Sequence, residues 1–179
     1  MATSTNDPLN STLTTHYPRL KRLAQHHLKR LPPGQTMSAT ALVHEAYVKV
    51  AKKRQLNDPS EPEMLAQLSY AIRDVLTSSV RSKMRAKRRN HKYASSQLFV
   101  RASVIDEQLV GAELVRLDDA LRELEGIDSE LSKLVTLHIF GELSLEQIAE
   151  VTGMSLSTVK RRWRSAKAWL SRSLSDEVA

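Results

Sequence analysis

The stretch Leu143–Leu170, LSLEQIAEVTGMSLSTVKRRWRSAKAWL, decides what kind of chain this is. Ser144 and Gln147 stand at capping-box spacing, which marks the start of a short helix. Ile148, Ala149 and Val151 are apolar, and Ala149 is small enough for a second helix to approach. Gly153 supplies a turn. Ser155 can cap the next helix, whose apolar positions Leu156, Val159, Trp163, Ala166 and Leu170 recur at helical spacing. This is the layout of a helix-turn-helix, whose second helix enters a DNA major groove by its N-terminal half.

Ser157, Thr158, Arg161, Arg162 and Ser165 lie off that apolar stripe and are the candidate groove contacts, since Arg pairs bidentately with guanine edges and hydroxyls bond several edges. Lys160, Arg164 and Lys167 suit phosphate contact, which positions the protein without reading sequence. The alternative is an ordinary helical hairpin with a solvated basic face. The capped short helix, the glycine turn and the basic second helix together favour DNA. Trp163 is read as core rather than as a base-stacking residue.

The rest of the chain agrees with a helical protein. Among 179 residues, aromatics are only 4%, with 5 Gly and 6 Pro, and alternating strand patterns are hard to find, so an all-α fold is expected. With no Cys, a disulfide scaffold and a Cys-ligated metal site are excluded, and a cytoplasmic protein is expected. No run of 18 or more apolar residues exists, so no membrane span is expected. The N-terminus lacks the basic-then-apolar order of a secretory signal. Charge is segregated. Residues 1–93 hold 17 Lys and Arg against 6 Asp and Glu, residues 94–150 hold 4 against 12, and residues 151–179 hold 6 against 2. Two basic regions flanking an acidic one suggest two polyanion contacts with a protein-facing or solvated segment between them.

Towards the N-terminus, residues 11–30 read as a helix through Leu20, Leu23, Ala24 and Leu28, broken by Pro32, Pro33 and Gly34. SATALVHEAYVKVAKK (Ser38–Lys53) is amphipathic through Leu42, Val43, Ala46, Tyr47 and Val50. Its first turn carries no acid. A long helix is expected from about Glu61 to Asn90, opened by a Ser60–Glu63 capping box and buried through Leu65, Leu68, Ile72, Val75, Leu76 and Val80. It ends in RSKMRAKRRNHK, seven basic residues in twelve. Cations suit a helix C-terminus, but seven without an acid favour contact with a polyanion. Residues 94–112 read as a linker with some local helix. Two further helices follow, one through Leu114, Leu117, Leu121 and Leu124, the other through Leu131, Leu134, Val135 and Ile139 with Gly141 as its stop. HEAYV lacks the second His of a zinc-protease helix, since Val48 stands there. His16, His26 and His27 have no companions at ligand spacing and are expected to be exposed polar residues, so neither a metal nor a cofactor is expected. No glycine loop or nucleophile constellation supports an enzyme.

Taken together, SATALVHEAYVKVAKK, LAQLSYAIRDVLTSSVRSKMRAKRR and LSLEQIAEVTGMSLSTVKRRWRSAKAWLSRSL resemble the bacterial sigma-70-type initiation factors of the extracytoplasmic-function class, over nearly the whole length. The resemblance implies two small helical domains joined by a linker: 10–93, which docks on the polymerase clamp and meets the −10 promoter element, and 113–175, the helix-turn-helix domain that reads the −35 element. It implies as partners promoter DNA and core RNA polymerase, through the clamp of the beta-prime subunit and the beta flap. Thr40, Ala41, His44, Glu45 and Val48 would face polymerase. Arg73, Arg81, Arg85, Arg88 and Arg89 would meet −10 DNA. Asn57 and Asp58 would read a flipped −10 base, although a plain connector explains that loop as well.

Two departures from the family pattern stand out. Where relatives carry aromatics early in the −10 helix, only Tyr70 lies nearby. Where they begin the clamp-docking helix with several acids, this chain has Ser38, Ala39, Thr40 and Ala41. Phosphorylation would supply the missing charge, at Thr40 first, with Ser38 and Thr36 behind it, and a Ser/Thr protein kinase would then be a further partner. A phosphate brings about −1.5 to −2 charge and suits a helix N-terminus. The plainer reading makes Ser38 an N-cap and Thr40 a first-turn residue. The rival function is a stand-alone regulator binding an operator as a dimer through the same helix-turn-helix.

Overall fold

The computed structural model describes the backbone of residues 8–31, 37–52, 60–91 and 101–176, and the side chains of 16–31, 37–52, 60–86 and 111–175. Among the described residues there are seven α-helices: α1 (Pro8–Lys29), α2 (Ala39–Ala51), α3 (Glu61–His91), α4 (Arg101–Ile127), α5 (Ser129–Phe140), α6 (Leu145–Thr152) and α7 (Leu156–Asp176). There is no strand among the described residues. The helix starts follow local chemistry. Ser38 Oγ accepts from Ala41 N at 3.1 Å. Ser60 and Glu63 close a capping box, with Ser60 N donating to Glu63 Oε2 at 2.8 Å and Glu63 N to Ser60 Oγ at 3.4 Å. Asp128 caps α5 through Leu131 N at 2.9 Å.

The long helix at α3 matches its expected span to within a residue. α4 is longer than the periodicity from Glu113 suggests: it starts at Arg101, so residues 101–112 are helical. Gly141 is the C-cap of α5, but with φ −94° it is not in the left-handed region, and Glu142 takes the positive φ of 50° instead. Glycine is needed at 141 for a close approach. A Cβ there would run into Ser69 Oγ, Leu143 Cδ1 and Leu137 O.

α3 is the hub. It packs against α1 and α2 on one side and against α4, α5 and α6 on the other. Leu65, Leu68, Ile72 and Leu76 of α3 therefore belong to one contiguous buried cluster with Leu20, Leu42 and Val43 from the first half and Leu121, Leu124, Leu134, Val135, Phe140, Ile148 and Val159 from the second. Burial of this apolar surface, at roughly 25 cal/mol per Å², is the main cohesive term. It joins rather than separates the halves on either side of residues 92–100.

Candidate nucleic-acid interface

The α6–α7 pair is held by its own side chains. Ser144 Oγ accepts from Gln147 N at 3.2 Å, and Gln147 Oε1 accepts from Ser144 N at 3.0 Å. Gly153 stands at φ 68°, a conformation costly for residues with a Cβ. Ser155 Oγ then accepts from Thr158 N at 3.2 Å and starts α7. Val159, Ala166 and Leu170 are buried, and Trp163 packs partly buried against them. The His138 ring meets Trp163 edge-on at 4.4 Å, and Lys167 Nζ lies 5.9 Å from its centre. Trp163 is thus a packing residue.

With that stripe turned inward, Ser157, Lys160, Arg161, Arg164, Ser165 and Lys167 are exposed. This leaves a basic face along one side of α7. Thr158 is half-buried, its Oγ1 2.9 Å from Ser155 Oγ. Arg162 is also half-buried, with Nη1 3.3 Å from both carboxylate oxygens of Asp128. It is tied to the α5 cap rather than projecting with its neighbours.

On α2, Leu42, Val43 and Ala46 are buried. Thr40, His44 and Glu45 are exposed, with Ala41 and Val48 at the edge. Ser38 serves as the N-cap, and Tyr17 OH donates to Thr40 Oγ1 at 3.4 Å.

The candidate −10 residues divide. Asn57, Asp58 and the modification candidate Thr36 lie outside the described residues, as do the side chains of Arg88 and Arg89. Arg85 is exposed. Arg73 is 9% exposed and turned onto the second half of the chain. Its Nε donates to Asp118 Oδ1 at 2.7 Å, its Nη2 to Asp118 O at 3.1 Å and its Nη1 to Thr136 Oγ1 at 3.3 Å. Arg81 reaches Asp118 Oδ2 at 3.1 Å and also pairs with Asp119. Arg122 Nε reaches Asp118 Oδ2 at 3.0 Å, and that carboxylate raises the Arg122 pKa.

Sequence reasoning alone misses this network, although it leaves a trace. Ser69, Arg73, Thr77 and Arg81 recur every fourth residue on a helix otherwise rich in aliphatics. Such spacing makes a polar stripe. Ser69, Arg73 and Thr77 are all buried.

His27 is not the exposed polar histidine that the sequence suggests. It is 7% exposed, with Nε2 donating to Phe140 O at 3.0 Å and its ring stacked on Phe140. Burial lowers its pKa below the usual 6.5, against the raising effects of the Phe140 carbonyl and Glu142. Tyr70 lines a cleft of about 670 Å³ between the halves, with Val50, Leu137 and Val151. Burial, then Glu130 and Glu125, push its phenol up to about 12. No group of acids and histidines among the described residues could hold a metal ion.

A family model for ECF sigma factors matches residues 5–176, almost the entire chain. The chain belongs to the ECF sigma factor family. No curated protein and no solved structure matches it. The family is one of transcription initiation factors rather than a known class of enzymes. This sigma factor is accordingly an alternative one, directing RNA polymerase to promoters, with core polymerase and promoter DNA as its partners. No helix among the described residues is long and apolar enough to cross a membrane.

Proposed function

We propose that α6 and α7 act as a helix-turn-helix that reads the −35 element, that the basic C-terminal half of α3 meets the −10 element, and that the exposed face of α2 docks on the polymerase clamp. The observation that supports this division most is the basic face of α7, with Lys160, Arg161 and Arg164 exposed beyond a capped and glycine-turned α6. Arg161, Ser157 and Ser165 reach base edges, while Lys160, Arg164 and Lys167 neutralise phosphates. Substituting any one of those three cations with Ala should lower the slope of log affinity against log salt by about 1.

The finer regulatory reading is that a Ser/Thr kinase completes the docking surface at Thr40. Thr40 is exposed in a first turn without acids. A phosphate there would complement the helix dipole and pair with arginines on the clamp. The test is transcription with core polymerase, using kinase-treated and untreated protein beside Thr40→Ala and Thr40→Glu. Promoter-specific product is expected, stronger for the phosphorylated and Thr40→Glu forms. Thr40→Ala matching the phosphorylated protein would remove the switch. Polymerase-independent operator footprints with no transcript from any promoter would remove the promoter-reading assignment in favour of a stand-alone regulator.

A further inference from the structure

Asp128 lies outside the α6–α7 pair, yet it touches the helix that the sigma reading places in the DNA groove. It sits at the junction of α4 and α5. Its N donates to Leu124 O at 2.7 Å, and its Oδ1 accepts from Leu131 N at 2.9 Å as the cap of α5. The carboxylate is therefore fixed by the main chain at the start of a helix that packs against both α6 and α7. Both of its oxygens lie 3.3 Å from Nη1 of Arg162, the seventh residue of α7.

A guanidinium offers donors on two sides. Nη1 lies on the Cδ side, while Nε–H and Nη2–H form a planar fork on the opposite side. Asp128 occupies the Nη1 side, and neither Nε nor Nη2 has an acceptor among the described residues. The fork left open matches the paired O6 and N7 acceptors of a guanine edge. Both side chains of the pair are partly exposed, so it adds little to stability. What it fixes is direction. A phosphate contact tolerates a mobile cation, whereas bidentate pairing with one base edge needs a guanidinium of set position and plane. Arg161, the next residue, is exposed and its side chain has no partner among the described residues. Of these two adjacent arginines, only Arg162 is tethered.

We infer that Asp128 is a positioning residue for −35 recognition. It aims the Nε–Nη2 fork of Arg162 at a guanine in the major groove, so the base selectivity of α7 depends on a side chain from the α4–α5 junction. The inference rests on the −35 reading of α6 and α7. Two further features support it. Arg162 falls in the N-terminal half of α7, the part that a helix-turn-helix inserts. By helical spacing it shares one flank of the apolar stripe with half-buried Thr158, while the phosphate candidates Lys160 and Lys167 lie on the other. An arginine already ordered in the free protein also loses less side-chain freedom on binding. Because it is paired with a carboxylate, it adds less to counterion release than an unpaired cation.

The test uses holoenzyme assembled from core polymerase and the full-length chain. It is mixed, at one salt concentration, with a duplex library randomised over the −35 element, and the bound duplexes are sequenced. Asp128→Ser keeps a good cap for α5 but is too short to hold Arg162. It should melt as the wild type does, yet lose about tenfold in guanine preference at one position, with the other positions unchanged. Arg162→Lys keeps the charge without the fork and should lose preference at that same position. A purely structural tie would shift melting without singling out one base. Base preferences intact in both variants would overturn the proposal. So would a slope of log affinity against log salt that falls by about 1 in Arg162→Ala while every base preference stands, since that marks a phosphate contact. If wild-type holoenzyme selects no sequence at all, the −35 reading fails and the proposal with it. If it selects one and the variants match it, only the role of Asp128 and Arg162 fails.

Discussion

Asp118→Ala puts a number on the buried cluster. The substitution takes the carboxylate from three guanidinium groups but does not affect them equally. Arg81 is 29% exposed and keeps Asp119, and Arg122 is 58% exposed, so each contributes little. Arg73 has a side chain 11% exposed. It keeps only Thr136 Oγ1 and the main-chain oxygen of residue 118, both neutral. Leaving a buried charge without its partner costs about 3–5 kcal/mol. With a urea m-value of about 2 kcal/mol/M for a chain of this size, the midpoint should fall by roughly 2 M. Arg73→Met/Asp118→Leu removes both charges and the desolvation that accompanies them, and should recover most of the stability. The assay is urea denaturation followed by circular dichroism and by the fluorescence of Trp163 and Trp169, arranged as a double-mutant cycle. A shift below about 0.5 M for Asp118→Ala, or a double variant no more stable than Asp118→Ala, would refute the argument.

Three further outcomes are expected. Gly141→Ala should destabilise by about 1–3 kcal/mol through overpacking against Ser69 and Leu143, whereas Gly126→Ala, with nothing within 4 Å of the added Cβ, should stabilise α4 by roughly 0.5–1 kcal/mol; thermal melts of both variants check the opposite signs. His27 has a folded pKa below its unfolded value of 6.5, so the unfolded chain binds the extra proton first. Stability is then full above about pH 6.5 and falls as pH drops through the folded pKa. The groups around the ring are Glu142, His26 and Arg30, and His27→Gln should flatten the step between pH 7 and pH 5.5 in urea midpoints. Ser144→Ala removes the α6 capping box and should cost about 1 kcal/mol, with a matching drop in hydrogen-exchange protection in the first turn of α6.

Much of the fold was legible because it is encoded locally. The Ser60–Glu63 and Ser144–Gln147 boxes, the Gly153 turn and the stripes Leu42–Val43–Ala46 and Val159–Ala166–Leu170 each lie within a few residues, and each recurs in the structure. The basic face of α7 follows directly once its apolar stripe is known. The other candidates were harder to read, because a lone Arg or His carries no mark of its partner. Arg73 looks the same in sequence whether it faces phosphate or Asp118, 45 residues away. His27 looks exposed until Phe140, 113 residues on, covers it.

By itself, then, the sequence determined an all-helical chain with a capped, glycine-turned and basic C-terminal helix pair, because propensity, capping and helical periodicity act over one or two turns. Tertiary structure alone decided that α3 is shared by both halves, that Gly141 is there for closeness rather than for backbone freedom, and that Arg73 and Arg81 meet Asp118. Those outcomes depend on which helix faces are brought together. Burial and charge pairing are properties of the assembled faces, and no short window of sequence contains both members of such a pair.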